Sequence, residues 1–187
     1  MAVTALDQTT ALVIIDLQNG IVAYSTIDPI EHILARASEL TEAFRRHTLP
    51  VVLVNVDGMA PGRTEQQRPP RTFPAGWTDI VPQLNAQPSD HTVTKRTWGA
   101  FTNTDLEAYL KAKNVTQIVL AGVATSAGVE STARHAYELG FNVTLAVDAM
   151  TDLNPDAHTN SVTRIFPRIG ETGTTPEIIA LLDSSHV

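Results

Sequence analysis

The sequence predicts an α/β protein: a three-layer αβα arrangement with a mostly parallel sheet of about six strands and helices on both faces, Rossmann-like in outline. Three observations predict it. Short apolar runs without polar alternation recur at 11–16 (ALVIID), 51–56 (VVLVNV) and 142–147 (NVTLAV), as strands covered on both faces require. Segments of helical period lie between them. In Gln117–Gly140 an apolar run, Ile118–Leu120, passes through small residues directly into a helix-period segment. That strand-to-helix junction is where open α/β sheets place their ligands.

Each element follows in order. Ala11–Asp16 is the first strand. Asp28-Pro29-Ile30-Glu31 reads as a helix start with an Asx N-cap, Pro at N1 and an acidic N3 residue. Ile30, Ile33, Leu34, Ala37, Leu40 and Phe44 then keep helical spacing. Val51–Val56 is the second strand. Residues 57–90 are the least regular stretch, with Pro61, Pro69, Pro70, Pro74, Pro82 and Pro88 and with Arg63, Arg68 and Arg71. The prolines favour an ordered meander, because each fixes its own φ and restricts its predecessor. His91–Lys95 is the third strand, and Thr104-Asp105-Leu106-Glu107 a capping box opening a helix through about Leu110. Ile118–Leu120 is the fourth strand, its helix ending near Gly140. Asn142–Val147 is the fifth. Asn154-Pro155 starts a helix carrying Val162, Ile165 and Phe166, Glu171–Thr174 is a short sixth strand, and Thr175-Pro176-Glu177 opens the last helix.

Composition bounds the function. The 187 residues read as a single domain, 1–187, and 43% of them are apolar, which suits a soluble globular chain. A formal charge of −7 argues against nucleic-acid or polybasic membrane surfaces. No apolar run approaches the ~20 residues of a membrane span. The start lacks the pattern of a secretory signal, so a cytoplasmic location is expected. With no cysteine, disulfides and thiolate-bound metals are excluded.

In a parallel sheet all carboxyl ends share one edge. Asp16 closes the first strand with Gln18 just beyond it, Lys95 closes the third, and Ala124, Thr125, Ser126, Ala127 and Gly128 follow the fourth. A carboxylate, an ammonium and a small-residue hollow at a helix N-terminus thus meet on that edge, where the helix offers N–H groups to an anion. Ser126 and Thr125 lack a histidine at readable spacing to activate them, and a capping role explains both. Trp98 and Phe101 divide between pocket wall and core packing. Tyr24 and Trp77 are rim or dimer candidates, His135 suits surface or packing, and Glu130 is favoured by the helix dipole.

The motifs Asp16–Gly20 (DLQNG), Thr94–Phe101 (TKRTWGAF), Gly122–Arg134 (GVATSAGVESTAR) and Asp148–Asp152 (DAMTD) occur in the order seen in the isochorismatase-like (cysteine hydrolase) family, which the chain resembles from residue 11 to about 170. The resemblance implies that family's hydrolase fold, with Asp16 and Lys95 catalytic and a cis peptide, by position Val123–Ala124, at an oxyanion hole. Gly128 stands where the nucleophilic cysteine usually sits, so covalent thiol catalysis is out. Metal-dependent members carry an Asp-x-His pair after the second strand. Here that segment reads Asn55-Val56-Asp57-Gly58, and neither metal nor cofactor is expected.

True isochorismatases also carry glycine at this position, and there the resemblance implies an Asp acting as general acid on a vinyl ether before water attacks. The leading expectation is a cysteine-independent hydrolase of a small, anionic metabolite. Asp16 is the general acid/base, Lys95 its electrostatic partner and Gly128 the space-maker. Gln18, Trp98, Phe101, Ala124, Thr125 and Ser126 are the substrate-binding candidates. Two alternatives remain: amide hydrolysis by water that Asp16 activates, and a catalytically silent small-molecule binder. Homo-oligomerisation, as dimer or tetramer, is implied by the resemblance alone. One conflict stands: a neighbouring ammonium lowers a carboxyl pKa, whereas a general acid at neutral pH needs it raised, which burial against Trp98 or Phe101 is expected to supply.

Overall fold

The computed structural model describes residues 3–65 and 72–185. Its strands are β1 (Thr10–Ile15), β2 (Val51–Val56), β3 (His91–Lys95), β4 (Gln117–Val123), β5 (Asn142–Thr151) and β6 (Glu171–Gly173). They form one sheet in the order β3-β2-β1-β4-β5-β6, parallel at every pairing. The helices are α1 (Asn19–Val22), α2 (Ile30–Arg46), α3 (Leu106–Ala112), α4 (Glu130–Glu138), α5 (Pro155–Asn160) and α6 (Thr175–Ser185).

Alternation along the strands divides the interior into two layers. Leu12 and Ile14 of β1, Leu53 of β2 and Val119 of β4 face Leu34, Ala37, Leu40 and Phe44 of α2 and Ile178 and Leu182 of α6. Val13, Ile15, Val54 and Leu120 face Leu106 and Leu110 of α3, Ala133 and Ala136 of α4, and Phe166. Every residue of β1 and β4 is buried, which is why these strands show no polar alternation. Each large side chain so buried contributes about 1.5–3 kcal/mol, and helix α2 is held mainly by its apolar stripe.

Several helix ends depart from the sequence reading. Asp28 does not cap α2: Pro29 holds the N-cap position without a side-chain bond, and the Asp28 carboxylate accepts from Thr151 Oγ1 instead. No reciprocal capping box forms at α3: Thr104 Oγ1 accepts from Leu106 N–H at 3.4 Å while donating to Ala100 O, but Glu107 pairs with Lys111. The cap at Asn154 does form, its side chain accepting from Ala157 N–H at 3.0 Å. That helix continues through a π-type turn, Ser161–Ile165, and a 3₁₀ turn, Phe166–Arg168. Strand β5 extends past Val147 to Thr151, with an irregularity between Leu120 and Gly122 in its partner. Its interior acid, Asp148, is satisfied by Thr175 N–H and Oγ1–H, so the polar residue does not end the strand.

The 57–90 meander is ordered in its second half, while Arg68, Pro69, Pro70 and Arg71 lie outside the described residues. Ile80 bridges Gln18 in antiparallel fashion, and Pro82–Leu84 forms a 3₁₀ turn. No helix among the described residues is long and apolar enough to cross a membrane.

Candidate active site

The DLQNG motif leaves β1 by an abrupt turn. Regular alternation would place residue 16 with Leu12 and Ile14 on the α2 face. Asp16 instead adopts φ 53°, a left-handed conformation that Asp tolerates better than most residues. Its side chain joins Lys95, which continues the face of Val93 at the end of β3. The contact is direct: Lys95 Nζ lies 2.8 Å from Asp16 Oδ2. The same ammonium donates to Thr97 O at 3.1 Å. Both side chains are buried, Lys95 at 2% and Asp16 at 8% exposure.

The rest of the motif builds the rim. Gln18 is fully buried. Its Oε1 accepts from Val56 N–H at 2.7 Å, and its Nε2 donates to Val56 O and Trp77 O. Asn19 donates through its side chain to Gly76 O. Gly20 is required by close approach, since a Cβ there would lie 1.9 Å from Trp77 Nε1. Trp77 also stacks on Phe73, with ring centroids 4.1 Å apart. The motif thus pins residues 76–80 against the ends of β1 and β2.

Across the gap between β1 and β4 lies the small-residue junction. The peptide Val123–Ala124 is cis, as the resemblance implied. A π-type turn, Thr125–Val129, then leads into α4. A Cβ placed on Gly128 would sit 2.9 Å from Ile15 Cγ2, 3.4 Å from Asp16 Oδ2 and 3.5 Å from Val123 O. Gly128 therefore borders the carboxylate directly, and the Ile15 methyl crowds the space a larger residue would need.

Burial pushes the Asp16 carboxyl up from 3.8 to about 6, outweighing the opposing pull of the Lys95 ammonium and its hydrogen bond. Desolvation removes water from the charged form, and one ammonium does not fully replace it. The conflict raised by the sequence is decided in favour of a raised pKa. Oδ1 of the same carboxylate is buried without a hydrogen-bond partner.

An Isochorismatase domain profile matches residues 10–177. The isochorismatase family protein YwoC of Bacillus subtilis (strain 168) is 42% identical, the match covering 92% of this chain and 93% of that one. A solved isochorismatase family protein from Burkholderia thailandensis is similar with TM-score 0.92 and 40% identity, over 96% of this chain and 98% of the other. The ureidoacrylate amidohydrolase RutB of Rhizobium rhizogenes (strain K84 / ATCC BAA-868) is 29% identical, over 79% of this chain and 72% of its own. The chain belongs to the isochorismatase family.

Within this isochorismatase-family site, several residues do other work than the sequence suggested. The amide of Gln18 is spent entirely on main-chain groups, so it fixes the rim and has no donor left for substrate or water. Trp98 is 62% exposed and does not supply the burial of Asp16. Phe101 is buried in the α4 layer, against Phe141 and the ring of His135. Ser126 N–H donates to Asp152 Oδ2 at 2.7 Å, so an acidic side chain already occupies the helix start expected to greet an anion. Asp152 also accepts from Leu153 and Asn154 N–H, tying the start of α5 to this turn. Glu130 pairs with Arg134 and accepts from Ser161.

One neighbour was missed. His158 Nδ1 lies 2.9 Å from Thr125 Oγ1, although the two are far apart in sequence. Its place on the first turns of α5, facing back across the sheet edge, was the available signal. Arg63 is exposed, Tyr24 is 38% exposed, and Arg71 falls outside the described residues.

Proposed function

We propose that this isochorismatase-family protein hydrolyses the C–O bond of a small anionic vinyl ether, with Asp16 as general acid. The observation that carries the reading is a buried carboxyl lifted to about 6 beside Gly128, a residue with no nucleophile to activate. In its protonated form Asp16 gives its proton to the terminal vinyl carbon. Water then adds to the resulting oxocarbenium carbon, and the hemiketal collapses to a ketone and an alcohol.

An anionic substrate keeps the acid protonated. A second negative charge beside Asp16 disfavours its ionised form and raises its pKa further. Once Asp16 is protonated, the Lys95 ammonium loses its counter-charge and turns to the substrate anion and to the charge shifting during reaction. Gly128 sets no side chain against the carboxyl, and the backbone at Ala124 and Thr125 is the wall the substrate would meet.

The test is turnover of isochorismate followed by ketoacid release, in wild type and in Asp16→Asn, a replacement that also tolerates positive φ. The expected loss is about 100-fold or more. Because the acid form is required, kcat/KM should fall about tenfold per pH unit above roughly 6. The second reading is amide hydrolysis, supported by the amidohydrolase relative. It needs the ionised carboxylate as base, so its rate should instead rise through pH 6. Ureido and amide substrates turned over with that opposite limb overturn the vinyl-ether reading.

A further inference from the structure

We infer that Thr132 is a positioning residue whose buried hydroxyl sets the spacing of Lys95 and Gly128 on either side of Asp16. The inference rests on the functional reading above only in taking Asp16 as the reacting group.

The contacts close a ring around the carboxylate. Asp16 Oδ2 meets Lys95 Nζ at 2.8 Å, and that ammonium also donates to Thr97 O at 3.1 Å. Two hydroxyls tighten the loop beyond: Thr97 Oγ1 donates to Gly99 O at 3.0 Å, and Thr104 Oγ1 donates to Ala100 O. Ala100 N–H then donates to Thr132 Oγ1 at 3.0 Å, and the same hydroxyl donates to Gly128 O at 2.7 Å. From Gly128 the ring returns to its start, because a Cβ there would lie 3.4 Å from Asp16 Oδ2.

Thr132 is fully buried on the first turn of α4. A threonine hydroxyl bonded to the carbonyl four residues back is ordinary in helices and by itself says nothing of a site. The bond from Ala100 is different in kind. It comes from 32 residues away and ties the loop that holds the ammonium to the turn that carries Gly128. Gly99 packs on the same helical turn, since a Cβ there would lie 3.5 Å from Ser131 O. Without the hydroxyl, a buried N–H loses its acceptor. A methyl carbon in its place needs about 3.5 Å from its neighbours, more than either hydrogen bond allows. The loop is then driven off α4, drawing Thr97 O and the ammonium it holds away from Asp16.

The titration of the Asp16 carboxyl, followed by carboxyl NMR on the intact protein, tests this without a substrate. Lys95 is the charged group that lowers this carboxyl, against the burial that raises it, so withdrawing the ammonium moves the inflection up. Thr132→Val should raise it by about 0.5 pH unit, less than loss of the ammonium itself. Thr132→Ser, which keeps the hydroxyl, should titrate as wild type, and melting curves check that each variant folds. Should the valine variant not fold, Thr132→Ala carries the same expectation. An inflection that stays in place or falls in a folded variant lacking the hydroxyl would overturn the assignment and leave Thr132 as helix packing. A serine variant that shifts as far as the valine would overturn it too. The falling limb of isochorismate turnover should move with the titration. A shifted titration with no turnover by wild type would leave the bridge standing and defeat only the vinyl-ether reading.

Discussion

Asp16 departs from the alternation of its strand, and that single backbone turn creates the site. Its φ of 53° carries the carboxylate to the Lys95 face, where burial raises its pKa and the ammonium moderates the rise. Removing the ammonium should therefore move the titration further up. Lys95→Met is expected to shift the inflection of the Asp16 titration clearly above 6, measured by carboxyl NMR on the intact protein, and an unmoved inflection would contradict the pairing. The sign for stability follows from the same direction. A group whose pKa is raised on folding favours the folded state below its unfolded value near 3.8, and that contribution is lost as pH rises through about 6. Gly128 supplies the second test at this scale. Any Cβ there meets Ile15 Cγ2 at 2.9 Å, and this branched methyl is held in the packed layer facing α4. Gly128→Ala should cost about 1–3 kcal/mol through overpacking. Combined with Ile15→Ala, the loss should be smaller than the sum of the two single changes, read from denaturant melts. Gly128→Cys is expected to meet the same obstacle, so restoring a thiol alone should not recover amidase activity.

Among the elements, the strand ends next to the site depend on two glycines. Gly122 in β4 has φ 119°, and a Cβ there would lie 2.0 Å from the main-chain oxygen of Ile15. Backbone cannot yield as a flexible side chain does, so Gly122→Ala should destabilise by about 4 kcal/mol or more or prevent folding, checked by soluble yield and thermal melting. Gly20 is the seat of Trp77, and Gly20→Ala should dislodge the indole and loosen residues 76–80. In a Trp98→Phe background this should appear as a red shift of Trp77 fluorescence. The elements themselves were largely readable. β1, β2 and β3 were expected within a residue of where they lie, because runs of Val, Ile and Leu buried on both faces leave a strong signal. Helix starts at Asp28 and Thr104 were less so. An Asx side chain caps only if nothing better is near, and Thr151, from a distant strand, was the better partner for Asp28, while at α3 Lys111 took the acid of the expected box.

For the whole molecule, the order β3-β2-β1-β4-β5-β6 places the change of winding direction between β1 and β4, where Asp16 and the Ala124–Gly128 turn face each other. Open sheets take their ligands at such a point, because connections on either side run to opposite faces of the sheet. Amide exchange should be slowest in β1 and β4, whose residues are all buried, and faster in β3, which lies at the edge. Protection of β3 equal to that of β1 would argue against this ranking. By itself, the sequence determined the parallel sheet, its two-sided burial, and the three motifs that end on one edge, since periodicity and strand-end position are local properties. It also identified Asp16 and Lys95 as partners. Only the tertiary structure decided the raised Asp16 pKa, the diversion of Gln18 to the rim, the exposure of Trp98, the contact of His158 with Thr125 and the Thr132 bridge between Ala100 and Gly128. Each of these depends on what distant segments bring within about 3 Å, and burial and hydrogen-bond competition at that range have no signature in local residue order.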